Sequence, residues 1–212
     1  MSIAPQSLQS FASYKSIPLV PDRIITRLAS MTTDDAEMLW KLLRYTDVEC
    51  LGFPNLTYEE KLDMMWTPEA NNATQEDLFT IFLKPLVPSA LNTAESQIQL
   101  RIYRTSLSSR DQYSGVASFA FDILTNEVSC MVRYQQVLVE RTDLIEALLI
   151  EILNGYDIGI GQNGLRFDRV AGGNSESRMS INNSKSIFGR TFIMILEMKN
   201  NQIKRGICDG WY

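Results

Sequence analysis

The sequence predicts an α+β fold, in which one mixed β-sheet is packed by a long helix, with an N-terminal helical pair and an extended N-terminal arm. Three observations support this prediction. Apolar residues recur at helical spacing in residues 141–155, whereas they alternate at the period of a strand in residues 98–103 and 119–124. A third signal is the short apolar run at residues 78–83, which is closed by Pro85 and is typical of a strand buried on both faces. One sheet with helices on one face is the simplest way to bury these segments.

Residues 1–30 are predicted to form the arm, because three prolines lie among Ser and Gln and no helical or strand periodicity is visible. The single α+β domain is then residues 31–212, and its folding is not expected to need the arm. The apolar side chains of the arm are candidates for contact with another subunit, with a frayed terminus as the alternative. These interface candidates are Phe11, Tyr14, Ile17, Leu19 and Val20.

Two helix starts follow the arm, and each is marked by a threonine. Thr33 precedes acidic residues and the buried stripe of a helix that ends near Tyr45. Thr57 and Glu60 have the spacing of a capping box, in which each side chain bonds to the free backbone amide of the other residue. Pro68 ends this second helix. Together the two segments predict the helical pair.

Charged residues near these elements have structural explanations. Acidic pairs at the two helix starts interact favourably with the exposed amides and the helix dipole. Arginines on or beside the predicted strands are expected to make solvated or interface ion pairs, with Asp122 and Glu140 as candidate partners. The acidic pairs are Asp34-Asp35 and Glu59-Glu60, and the arginines are Arg101, Arg104, Arg133 and Arg141.

A Gly-x-Gly-x-x-Gly string is formed by Gly159, Gly161 and Gly164, but it follows a helix instead of opening one. A dinucleotide fingerprint leaves a strand and opens a helix, so that the pyrophosphate lies on the N-terminal amides of that helix. Here the predicted helix stops at Asn154 and a short apolar run, residues 165–167, comes after the glycines. We therefore expect the glycines to serve backbone geometry. A nucleotide-binding enzyme that uses this loop is the alternative.

The chain contains no histidine, which removes several catalytic and metal-binding arrangements. Nucleophile–histidine pairs and His-bearing zinc or iron sites all need an imidazole. Cys50, Cys130 and Cys208 are odd in number and far apart, so neither a disulfide framework nor a thiolate metal cage is indicated, and we expect reduced, mostly buried thiols. We expect no catalytic residues, no cofactor and no metal, and hence a protein that is not an enzyme.

The net charge of -5 argues against tight binding to nucleic-acid phosphates. No apolar run approaches the length of a membrane-spanning helix, and the N-terminus lacks the apolar region of a signal peptide. We expect a chain that is made in the cytoplasm and binds no membrane. One face of the predicted sheet has no cover within the chain, which favours a homo-oligomer.

The succession of these segments resembles the neck proteins of tailed bacteriophages over residues 31–199. Residues 125–136 are not a clear match, which leaves the middle of the predicted sheet open. The resemblance rests on PNLTYEEK (54–61), IQLRIYR (98–104), FAFDIL (119–124), RTDLIEALLIEILNG (141–155), GIGQNGLRF (159–167) and FGRTFIMIL (188–196).

The resemblance implies a structural virion protein without catalytic residues. Neck proteins form rings between portal and tail, and many have a tail-terminator-like fold in which a helix packs on a small sheet. The implied partners are other copies in a ring of 6 or 12, neighbouring neck, portal or tail proteins, and DNA that passes without being held. Location in the virion neck would follow. A monomeric cytosolic adaptor is a further alternative, which would have a single-subunit mass in solution.

Overall fold

A computed structural model describes residues 16–69, 79–85, 98–109, 114–158, 164–167, 177–180 and 187–199. The helices in these ranges are α1 (Val20–Ser30), α2 (Asp34–Arg44), α3 (Tyr58–Asp63) and α4 (Arg141–Leu153). The strands are β1 (Ile81–Phe82), β2 (Ile98–Ser109), β3 (Ser114–Asn126), β4 (Met131–Tyr134), β5 (Val137–Glu140), β6 (Leu165–Phe167), β7 (Ser177–Ser180) and β8 (Ile187–Lys199). None of the described helices is long and apolar enough to cross a membrane.

Six strands form one mixed sheet in the order β1-β2-β3-β8, with β6 and β7 both lying on the outer edge of β8. In the described residues β1 runs parallel to β2, and the other neighbouring strands are antiparallel. The long strands β2, β3 and β8 form the centre, where Ile102 lies opposite Phe121 and Phe121 lies opposite Phe192. The predicted α+β class with a mixed sheet is confirmed.

Helix α4 packs on the sheet through the apolar stripe that predicted it. Ile145, Leu149 and Leu153 are fully buried, and Leu148 is 6% exposed. These residues belong to the same core as the stacked rings of Phe121 and Phe192, whose centroids lie 4.8 Å apart. Burial of each such side chain stabilises the fold by about 1.5–3 kcal/mol. The long helix is therefore the main cover of one sheet face.

The prediction of an extended arm is wrong for residues 16–30, where the structure has a short 3-10 turn (Ile17–Leu19) followed by α1. Pro18 and Pro21 lie in the first turns of these elements, a position that suits proline because its fixed φ is helical and its missing N–H has no partner there. The prolines thus mark a helix start. The apolar residues around them recur every three or four positions and are buried: Ile17, Val20, Ile24, Ile25 and Leu28.

Both predicted helix starts are confirmed, together with the threonine caps. The Thr33 hydroxyl accepts a hydrogen bond of 3.4 Å from the amide of Ala36. Thr57 and Glu60 form the complete capping box, with distances of 2.8 and 3.2 Å between each side-chain oxygen and the amide of the other residue. These bonds lower the pKa of the exposed Glu60 carboxyl. Helix α3 ends at Asp63, before the predicted end at Pro68.

The second face of the sheet is covered at its centre, contrary to our expectation of an open face. On β2, Gln99 and Arg101 are 2% and 1% exposed, although their alternation with apolar residues indicated a half-buried strand. On β3, Asp122 and Leu124 are each 1% exposed. Hydrogen bonds between polar side chains offset the cost of burying them here, and a period-two pattern does not reveal such bonds. The outer part of β2, residues 104–108, is exposed.

Strands β4 and β5 form a separate two-stranded hairpin in the region that matched the resemblance least. Its two-residue turn is Gln135-Gln136, and both residues have positive φ, at 48° and 67°. Such turns match the right-handed twist of the flanking strands but usually contain glycine or asparagine. The hairpin was therefore not visible from turn residues in the sequence.

Candidate functional site

The five predicted interface residues differ in what the structure shows of them. Phe11 and Tyr14 lie outside the described residues. Ile17 and Val20 are fully buried within their own chain, so their assignment to a subunit interface is wrong. Leu19 is 51% exposed and is the described member of the set that can contact another molecule. The error has the same cause as the missed helix, because these residues pack at helical spacing.

A buried guanidinium joins α4 to the end of α2. Arg141 is fully buried at the first position of α4, and its predicted role in a solvated ion pair is wrong. Its three nitrogens instead donate to backbone carbonyl oxygens in the last turn of α2, in the segment after it and before β4. At distances of 2.6–3.2 Å the acceptors are the carbonyls of Leu42, Tyr45, Thr46, Asp47 and Ser129. Arginine suits this site because its planar fork presents five N–H groups.

The same guanidinium contacts a cysteine. Nη1 of Arg141 lies 3.4 Å from Sγ of the buried Cys50. Burial raises the pKa of the Cys50 thiol above its ordinary value, although the positive charge of Arg141 opposes the shift. The thiolate is the nucleophilic form, so the raised pKa of the buried Cys50 favours an unreactive thiol. The expectation of a buried thiol is met at this position.

Two further cations connect elements of the core. Arg190 of β8 lies 2.5 Å from the carboxylate of Asp143 and 3.1 Å from that of Glu146, both on α4. Lys61 of α3 is 2% exposed and lies 2.7 Å from the carboxylate of Glu37 on α2. Lys61 and Glu37 are both buried, and breaking such a pair by removing one partner is strongly destabilising, because the other charge stays buried. The pairs therefore hold the helices to the sheet and to each other.

A polar cluster lies on the second sheet face, and the sequence patterns did not reveal it. Oε1 of Gln99 accepts hydrogen bonds of 3.1 and 2.7 Å from Arg101, whose guanidinium stacks over the Phe82 ring at 4.3 Å. Next to it the Asp122 carboxylate accepts a hydrogen bond of 2.7 Å from Thr191. Arg101 is 1% exposed, so the expectation of a solvated side chain is wrong at this position.

Tyr103 extends this cluster toward solvent. Its pKa is raised to about 12 by burial, by the negative charge of Asp122 and by the hydrogen bond to that carboxylate. A phenol with so high a pKa stays protonated near neutral pH and acts as a hydrogen-bond donor. The cluster thus fixes β2, β3 and β8 to one another through side chains, in addition to their backbone ladders.

The described part of the glycine segment is a tight turn. Gly155 and Gly164 have φ values of 80° and 68°, and the amide of Gly155 donates to the carbonyl of Leu165 at 2.6 Å. A Cβ on Gly164 would lie 2.5 Å from the carbonyl oxygen of Tyr156, so the position requires glycine. The order of helix, glycine turn and strand follows the prediction. Gly159 and Gly161 lie outside the described residues.

A cleft beside α1 is open and carries both signs of charge. It has a volume of about 540 Å³ and is lined by α1 and by the segment after α4. Arg27 reaches across one side, where Nε donates to the hydroxyl of Tyr156. Among the described residues, no group of three or more Cys, Asp or Glu side chains is arranged to hold a metal ion. The charged residues of the cleft are Asp22, Arg23, Arg27 and Asp157.

Exposed apolar side chains concentrate on the β4–β5 hairpin and on the turn before it. Val128 is 77% exposed, Val137 58%, Leu138 53% and Met131 40%. Single exposed apolar residues are ordinary, whereas several on one small element indicate a contact surface.

No protein-family model matches the chain, and no curated protein matches it. The candidate functional surfaces are therefore those that the geometry provides. They are the exposed hairpin and the exposed outer part of β2.

Proposed function

We propose that the chain is a structural subunit of a ring in the neck of a tailed bacteriophage, between portal and tail. The observation that carries the proposal is the packing of α4 on a mixed sheet whose central strands are β2, β3 and β8. The resemblance to neck proteins implies this arrangement of one helix on one small sheet. The location would then be the virion.

The use of charge within the chain supports a structural role. Arg141 donates to backbone carbonyls, Lys61 pairs with Glu37, and Arg190 pairs with two carboxylates of α4. Catalytic groups usually combine a shifted pKa with access to a cleft. Cys50 has a shifted pKa, but its thiol is buried and its pKa is raised, which disfavours the reactive thiolate. These contacts stabilise the scaffold that a ring subunit needs.

An exposed strand edge supports contact between subunits. β1 pairs with β2 only at Leu100 and Arg101, and the described structure has no strand on the outer edge of β2 beyond them. Residues 104–108 are exposed on this edge. Open edges present backbone donors and acceptors to another chain. A neighbour that binds there, with a different surface of its own, makes the head-to-tail contact that closes a ring.

The acidity of the chain has a use in this role. With a net charge of -5 per copy, six to twelve copies carry a total of roughly -30 to -60. A channel with this field repels the phosphates of a DNA duplex, so that DNA passes without being held. The partners would be other copies of the chain and the neighbouring neck, portal or tail proteins.

Sedimentation velocity of the full-length protein tests the proposal against a monomeric adaptor. The subunit mass is 24.1 kDa, so a closed ring differs from a monomer by a multiple that sedimentation resolves easily. We expect one dominant species of six or twelve subunits, or of twice that number if rings pair. A single-subunit mass at all concentrations would contradict the ring.

Calorimetric titration with NAD, ATP or GTP tests the alternative of a nucleotide-binding enzyme. Gly155 and Gly164 form a turn that leads into β6, which is the reverse of the order that phosphate binding requires. We expect no heat of binding. A saturable signal that disappears in Gly161→Ala would favour the enzyme.

A further inference from the structure

Within the part of the chain that the structure describes, the outer edge of β5 has open backbone groups. In an antiparallel ladder, each strand alternates between residues that bond to its partner and residues whose N–H and C=O point away. Arg133 lies opposite Leu138, and its amide points outward to the carbonyl of Val48, at 2.8 Å. The N–H and C=O of Leu138 therefore point outward on the other edge of the hairpin. No strand in the described ranges lies on that edge.

Over residues 137–139 this edge lacks the features by which proteins usually protect exposed strands. Charged side chains, proline or a bulge commonly block pairing with another chain. Residues 137–139 are Val-Leu-Val, without a charge or a proline, and the β4–β5 register is regular. Val137 and Leu138 are 58% and 53% exposed. The edge therefore combines open hydrogen-bonding groups with apolar side chains.

The strand is also self-complementary. Val-Leu-Val reads the same in both directions, so an antiparallel copy centred on Leu138 places Leu138 opposite Leu138 and Val137 opposite Val139. The same register places Gln136 opposite Glu140, so like charges do not face each other. Two outward amide–carbonyl bonds form between the two Leu138 residues in this register. A two-fold axis through the pair uses the same patch on both copies.

We propose that β5 is the site at which a second copy of this chain docks, by antiparallel strand pairing about Leu138. The two hairpins then form one four-stranded sheet in the order β4-β5-β5-β4. Arg133 is the charged residue of β4 that lies on the same face of the hairpin as Leu138. It forms an ion pair with Glu49 at 2.6 Å. No unpaired charge on β4 opposes the approach of the copy.

This contact is separate from the contact that closes a ring. If the protein forms rings, the two-fold contact joins two rings face to face, and if it forms no ring, the contact gives a dimer. In both cases, loss of the contact halves the mass of the particle. Failure of this inference is thus distinguishable from failure of the ring.

Leu138→Lys in the full-length protein is the first test, with sedimentation over a dilution series as the measurement. Two lysines then face each other across the two-fold axis, and like charges directly opposite each other are destabilising. We expect half the wild-type mass and a dissociation constant raised roughly tenfold or more. Val128→Lys is the matched control, because it removes a more exposed apolar side chain outside the strand, and it should keep the wild-type mass.

Leu138→Glu supplies the second arm of the test. Alone it should also halve the mass, whereas an equal mixture with Leu138→Lys should restore the paired species, because Lys then faces Glu in the same register. The proposal is overturned by wild-type protein that is already unpaired, by Leu138→Lys with unchanged mass, by equal dissociation of Val128→Lys, or by a mixture that stays unpaired. If Leu138→Lys lacks the circular dichroism spectrum of the folded protein, Val137→Lys replaces it. This variant places a lysine opposite Val139 of the copy in the same register, and the same masses are expected.

Discussion

Nη1 of Arg141 donates a hydrogen bond of 2.9 Å to the carbonyl oxygen of Leu42. The contact connects the first residue of α4 to the last turn of α2, across 99 positions of sequence. Carbonyl groups at a helix C-terminus have no partner within the helix and carry partial negative charge. One arginine on α4 thus caps α2 and fixes the two helices to each other. Without Arg141, the Leu42 carbonyl would lose this donor.

Arg141→Met is expected to lower the free energy of unfolding by about 3–5 kcal/mol, since several buried carbonyls lose their donor. Arg141→Lys should give an intermediate value, because an ammonium has fewer donors and no planar fork. Denaturant titration followed by circular dichroism measures both. Arg133→Met is the control, because its ion pair with Glu49 is exposed and contributes less than about 1 kcal/mol. Equal losses in the two arginine variants would contradict the capping role.

Leu148→Asp is expected to give insoluble protein, because it places a charge in the core beneath α4. Leu148 is 6% exposed, and an unpaired buried charge costs several kcal/mol. Ala147→Asp is the matched control, since Ala147 lies on the exposed side of the same helix. The soluble fraction after expression is the measurement. A soluble Leu148→Asp protein with a normal melting temperature would show that α4 does not cover the sheet as described.

Two glycines of the turn after α4 should differ in their tolerance of alanine. Gly155 has open space where the methyl group of an alanine would lie, so Gly155→Ala costs only the positive φ, about 1–2 kcal/mol. Gly164→Ala adds a contact of 2.5 Å with a backbone oxygen, and we expect about 2–5 kcal/mol. Thermal melts of the two variants give the comparison. A smaller loss for Gly164→Ala would exclude this turn geometry.

The raised pKa of Tyr103 predicts that the folded protein loses stability at alkaline pH. Its pKa in the folded chain is raised from the ordinary value of 10 to about 12, so the neutral phenol stabilises the fold below pH 10. This contribution is lost as the pH rises from 10 through about 12. Tyr103→Phe should lack this component, and Tyr58→Phe, which changes an exposed tyrosine, should keep it. Denaturation midpoints across this pH range test the difference, and identical curves for wild type and Tyr103→Phe would refute it.

Truncation separates the first residues from α1. A chain that starts at Ser16 should fold, because it keeps the 3-10 turn and the buried residues of α1. A chain that starts at Met31 should not, because it lacks Val20, Ile24 and other side chains that are fully buried in the core. Circular dichroism and melting of the two chains give the answer. A cooperatively folded chain from Met31 would restore the domain boundary that the sequence predicted.

Local sequence signals predicted the elements whose causes are local. The stripe of α4 and the capping box of Thr57 and Glu60 depend on residues within one or two turns, and the structure has both. α1 also had a local signal in its apolar spacing. Pro18 and Pro21 conceal it, because proline is typical of extended segments as well as of a helix start.

Contacts between distant residues were not predictable from these patterns. Arg141 meets the carbonyl of Tyr45 across 96 positions, and Asp122 meets Thr191 across 69. Nothing in the neighbourhood of Arg141 or Asp122 in the sequence distinguishes it from a solvated charge. The hairpin turn at Gln135 and Gln136 was hidden for another reason, because neither residue is typical of positive φ.

Negative-stain images of the purified full-length protein test the ring most directly. We expect closed rings of uniform diameter with a central channel, alone or stacked in pairs through β5. Fields that contain only single subunits or isolated dimers, at concentrations where sedimentation shows no larger species, would contradict the ring.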